Sequence, residues 1–82
     1  MNKTQLERQT YDDLVKEFGT PMIPLESMCK KFFGLEPETA RTRAASGTLP
    51  VQPIRLNGQK SPWLMPAAAL AKHLVTQLIE AA

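Results

Sequence analysis

A mainly α-helical domain with one small β-hairpin, laid out as a winged helix-turn-helix, is what this sequence predicts. Three observations carry that expectation. IPLESMCKKFFG and PETARTRAASG are two consecutive short helical patterns, each ending in glycine. The second has only alanine on one side, with hydroxyls and guanidiniums on the other. Beyond it, Asn57-Gly58 supplies a favoured two-residue hairpin turn, because both positions tolerate positive φ. The expected elements are helices over about 3–18, 24–33, 37–46 and 66–80 and a wing hairpin over about 51–65.

In the first helix Leu6, Tyr11, Leu14, Val15 and Phe18 supply the apolar stripe. Thr4 followed by Glu7 has the form of a capping box, and Asp12 and Lys16 stand at a favourable i, i+4 spacing. Gly19-Thr20-Pro21 ends the pattern. This helix reads as a packing element or a dimer contact. Met22–Pro24 is expected to be extended, since residues before proline avoid the helical region, with Ile23 in a short strand beside the hairpin.

The helix-turn-helix spans 24–47. Leu25, Met28, Cys29 and Phe32 recur at spacings of three and four and share a face; Lys30 and Lys31 fall off it. Gly34 fits a left-handed helix terminus, and Pro37 fits the first turn of the next helix, where its missing N–H costs nothing. At about 100° per residue Ala40 and Ala44 lie together, opposite Thr39, Thr42, Arg43 and Ser46, with Arg41 on a flank. A helix buried through alanine alone sits close to its neighbour. Its outer hydroxyls and guanidiniums are the groups that bond phosphates and base edges, arginine gripping guanine bidentately.

In the hairpin Val51, Pro53 and Arg55 alternate with Gln52, Ile54 and Leu56. Pro53 and Pro62 cannot donate to a ladder, so pairing is brief or at an edge. Arg55, Gln59, Lys60 and Ser61 are placed to reach the DNA backbone. For Lys60, a second reading stays open, a charge that blunts a strand edge. Trp63 is expected to pack under the wing rather than stack on a base. Pro66 opens the last helix, a packing or dimer element over 66–82. Its stripe of Leu70, Leu74 and Leu78, flanked by Ala71, Val75 and Ile79, serves either the monomer's core or a dimer interface.

Bulk properties narrow the function. Eighty-two residues make one small domain, which buries roughly 60% of its unfolded surface, so a partner subunit would add to its stability. One cysteine allows neither an intramolecular disulfide nor a cysteine metal cage. No apolar run approaches membrane-spanning length and MNKTQLERQ is not a signal peptide, so a bacterial cytoplasmic, nucleoid-associated protein is expected. The net charge is only +2. Its excess falls in residues 25–62, where Lys30, Lys31, Arg41, Arg43, Arg55 and Lys60 outnumber Glu26, Glu36 and Glu38. A modest basic patch of this kind is what phosphate contacts require.

No enzyme is expected, and no cofactor or metal. His73 and Cys29 are the sole histidine and cysteine, and Cys29 lies on an apolar helix face. Asp12-Asp13 and Glu36/Glu38 are acids at exposed helix positions, and no phosphate-binding glycine loop is present.

IPLESMCKKFFG, the TAR–R–A–GTLPV segment and the QKSPW return, within the stretch from Tyr11 to Leu74, resemble the pyocin activator PrtN family of small prophage and bacteriocin regulators. The layout also resembles phage excisionase and Cox proteins and, more broadly, MerR-like domains. The resemblance implies a winged helix-turn-helix that binds double-stranded DNA and activates transcription of a bacteriocin cluster. The alternatives are an excisionase that bends attachment-site DNA and also regulates a promoter, or a module that docks on an integrase, a repressor or RNA polymerase. The residues expected on DNA are Thr39, Arg41, Thr42 and Arg43 in the major groove. Arg55, Gln59, Lys60 and Ser61 are expected on the backbone, with Lys30 and Lys31 on nearby phosphates. A homodimer or cooperative oligomer on DNA is the expected assembly.

Overall fold

A computed structural model describes residues 2–56, 58 and 61–81. It contains α1 (Lys3–Phe18), β1 (Met22–Pro24), α2 (Leu25–Phe33), α3 (Pro37–Ser46), β2 (Leu64–Pro66) and α4 (Ala67–Ala81). The mainly helical class with a small antiparallel sheet is as expected, and helix bounds differ from the sequence reading by one residue at most.

The cap of α1 differs. Asn2 holds it: its Oδ1 accepts from the Gln5 N–H at 2.8 Å, and the Gln5 Oε1 accepts from the Asn2 N–H at 3.1 Å. This replaces the expected Thr4–Glu7 box. Asn is at least as good a cap as Thr, and capping at Asn2 brings Thr4 inside the first turn. Asp12 and Lys16 form no ion pair among the described residues; the neighbouring i, i+4 contact is Gln9 Nε2 donating to Asp13 Oδ1 at 3.0 Å.

β1 and β2 pair antiparallel, Ile23 opposite Met65. Both residues are fully buried. Each strand runs directly into a helix, β1 into α2 and β2 into α4. The Leu25 N–H donates to the Trp63 carbonyl at 2.9 Å, and the Ala67 N–H donates to the Pro21 carbonyl at 2.8 Å. The second bond sets α4 beside the end of α1, and the two helices pack along each other with Leu14, Leu70 and Ala71 buried.

The α2–α3 turn is built as its sequence predicts. Gly34 takes φ +66, its N–H donates to the Lys30 carbonyl at 3.1 Å and the Leu35 N–H reaches the Cys29 carbonyl at 3.3 Å. These two bonds satisfy carbonyls that the helix end leaves open. A Cβ at Gly34 would meet nothing within 4 Å, so the only objection to a side chain is backbone strain. Gly34→Ala should therefore cost about 1 kcal/mol, read as a lower urea midpoint at unchanged slope. Gly34→Asn should cost less, because asparagine visits the left-handed region more readily.

A candidate nucleic-acid interface around the second helix of the motif

α3 is positioned by what it buries. Ala40 is 0% exposed and Ala44 is 2% exposed, both against the core. With no long side chain intervening, the α3 backbone lies close to α2 and its other side faces outward. Pro37 occupies the first turn and Gly47 closes the end.

Thr39, Arg41, Thr42 and Arg43 are all exposed, but their surroundings differ. Thr42 Oγ1 donates to the Glu38 carbonyl at 3.1 Å, leaving its oxygen lone pairs outward as acceptors. Ser46 Oγ donates to the Arg43 carbonyl at 3.1 Å. Arg41 pairs with Glu26 of α2 through Nη1 and Oε1. The Arg43 guanidinium has no ion pair or hydrogen bond among the described residues, so it is the arginine of α3 with all its donors available to a ligand.

The cations of α2 are also engaged. Lys30 Nζ lies 3.4 Å from Glu36 Oε1. Lys31 Nζ lies 2.5 Å from Glu17 Oε2 and sits 5.5 Å from the Phe32 ring centroid. Both pairs are solvent-exposed, the class worth at most about 1 kcal/mol, and a phosphate can compete for such lysines.

The hairpin is closed by reciprocal hydrogen bonds between Ile54 and Leu64, each 2.8 Å. Beyond that bridge the returning chain pairs with β1 instead. Gly58 has φ +86, as the turn requires; Asn57, Gln59 and Lys60 lie outside the described residues. Pro53 is buried and Arg55 is half-buried, whereas Ile54 and Leu56 face outward, Leu56 at 64% exposure. Arg55 is turned in because its guanidinium lies over the Trp63 ring, 4.0 Å from the centroid. Trp63 is itself half-buried against the core, with the wing above it. Ser61 is half-buried, its N–H bonded to the Gly58 carbonyl at 3.1 Å.

These pieces meet. A pocket of about 260 Å³ is lined by Glu26, Arg41, Arg55, Ser61 and Trp63 over a floor that includes Leu25. It joins α2, α3 and the wing. Arg41, Arg55 and Ser61 are expected site residues from the sequence; Glu26 and Trp63 are not. Glu26 lies fifteen residues from Arg41, beyond any helical spacing, so only the packing of α2 on α3 reveals it.

A family model described as pyocin activator protein PrtN matches residues 10–81. The chain belongs to the PrtN family. The match runs past both ends of the Tyr11–Leu74 stretch that carries the resemblance and takes in all of α4. Comparison with curated proteins and with solved structures returned no match. For a PrtN-family chain the role is regulatory, that of an activator. Among the described residues no helix is long and apolar enough to cross a membrane.

Proposed function

We propose that this PrtN-family chain is a sequence-specific DNA-binding activator of a prophage or bacteriocin cluster. In this reading α3 enters the major groove and the wing lies on the adjacent backbone. The observation that carries it is the construction of α3, sunk into the core through Ala40 and Ala44 and presenting Thr39, Thr42 and an unengaged Arg43 on its exposed side. A helix in a groove needs a slim, polar outer surface with donors for base edges, and that is what remains exposed.

A salt-series titration against promoter and attachment-site fragments of the encoding element tests it. The expected result is tight binding to particular promoter fragments, with log K falling linearly in log salt. Selective binding to attachment sites would favour the excisionase reading. Weak, equal binding to all fragments would overturn sequence-specific recognition and favour a protein dock for an integrase or RNA polymerase.

The end of α4 supports assembly as a homodimer. Leu70, Ala71 and Val75 are buried, but the same stripe continues outward as Leu78 (61% exposed) and Ile79 (49% exposed). Apolar side chains at the end of an otherwise packed stripe suit a second copy. Leu78→Asp should lower the association constant measured by sedimentation at least tenfold while leaving the melting temperature nearly unchanged at concentrations where the chain is monomeric. An unchanged sedimentation profile would exclude this interface.

A further inference from the structure

Resting on the DNA-binding reading, we propose that the pocket between α2, α3 and the wing seats one backbone phosphate of the bound duplex, and that Glu26 occupies Arg41 until that phosphate arrives. The pocket opens at the junction of the groove-reading helix and the wing, the two elements that flank the sugar–phosphate chain in this docking geometry. Arg41 and Arg55 line it from either element. It also lies at the start of α2, whose N-cap residue Pro24 offers no side-chain cap. The first-turn amides of such a helix favour an anion. The guanidiniums of Arg41 and Arg55 thus converge on negative charge, at a helix start whose first amide is already bonded to the Trp63 carbonyl.

The remaining residues select which anion. Pro24, Leu25 and Trp63 give the walls an apolar character suited to the deoxyribose next to that phosphate. Arg55 is held flat over Trp63, so its planar donor edge is oriented before the ligand arrives, and little side-chain entropy is lost on binding. Arg41 is held by a carboxylate that is 63% exposed. A pair so open to water is weak, and a phosphate can displace it.

Removal of an ion pair that served only to brace the fold would weaken DNA binding. Displacement predicts the opposite sign. Glu26→Gln should bind a selected duplex about tenfold more tightly, the scale of one charge-assisted contact, with a steeper salt dependence. Weaker or unchanged binding, with the melting temperature retained, would overturn the role given to Glu26.

The phosphate seat is tested by scanning the selected duplex with single neutral methylphosphonate linkages. At one linkage per subunit the wild type should lose about tenfold, and Arg55→Ala should lose no more there than it has already lost on unmodified DNA. Equal losses for wild type and Arg55→Ala at every linkage would exclude the seat. Trp63, the sole tryptophan, reports occupancy through its fluorescence. The signal should change with the duplex and not with millimolar inorganic phosphate or deoxyadenosine monophosphate. A change with the small ligands alone would assign the pocket to a free phosphate compound and overturn the backbone reading. If the wild type selects no duplex at all, the DNA-binding reading itself fails, separately from either result.

Discussion

Leu70→Ala is expected to destabilise the fold by about 3–4 kcal/mol, from the lost apolar burial and the cavity left behind. Leu70 is 0% exposed, in the layer where α4 packs along α1. Leu14 and Ala71 are buried in the same core cluster. Alanine at 71 cannot swing in to fill the space, and the helix backbones are fixed by the β1–β2 ribbon at one end, so collapse of the cavity is limited. A domain of this size has about 5–10 kcal/mol to lose. The melting temperature should fall by roughly 15–20 °C. Leu78→Ala, on the same helix but mostly exposed in the single chain, should move it by only a degree or two at concentrations where the chain is monomeric. Comparable losses at both positions under those conditions would show that the outer end of α4 also packs within the single chain.

Arg43→Ala is expected to weaken binding to the selected duplex by about 1–3 kcal/mol, roughly fivefold to 150-fold, and to relax preference at one base pair. The reasoning is local. Arg41 must first leave Glu26, and part of any contact it gains is offset by the pair it gives up. Arg43 gives up nothing among the described residues. Arg43→Lys should recover nonspecific affinity but not the base preference, because an ammonium lacks the planar fork that grips two acceptors of guanine together. Thr42→Ala should cost less than Arg43→Ala, since the Thr42 proton is already committed to the Glu38 carbonyl. Competition titrations with single-base-pair variants of the duplex measure all three. A uniform loss across variants for Arg43→Ala would make it a phosphate contact instead of a base reader.

Local chemistry was the legible part of this sequence. Gly34, Pro37 and Gly47 each announce a helix boundary through backbone restrictions that hold in any context, and the structure uses all three as expected. Ala40 and Ala44 marked the buried side of α3 because a four-residue spacing fixes the face. Capping was less readable. Asn2, Thr4 and their partners at i+3 offer overlapping boxes, and the choice depends on where the helix gains its next bonds. The candidate site was legible as a residue set but not as an arrangement. Arg55 was expected outward, yet the strand leaves Ile54 and Leu56 in solvent and turns the guanidinium onto Trp63. Alternation cannot decide this: the prolines interrupt the ladder, and a one-residue shift exchanges the two faces.

The β1–β2 pairing has a consequence for how the chain comes off the ribosome. Met22 meets Pro66 and Pro24 meets Leu64, so the entire segment that carries α2, α3 and the wing is a loop whose mouth is drawn shut only by the last strand. Until residues 64–66 have been synthesised, Ile23 has no partner, and until Trp63 the first amide of α2 has no acceptor. Closing a loop of that length is a late, entropy-opposed event. A nascent or proteolysed chain ending at the wing would contain every residue assigned to DNA without the clasp that aligns them. Activity should therefore appear in one step, when the final strand and helix are in place.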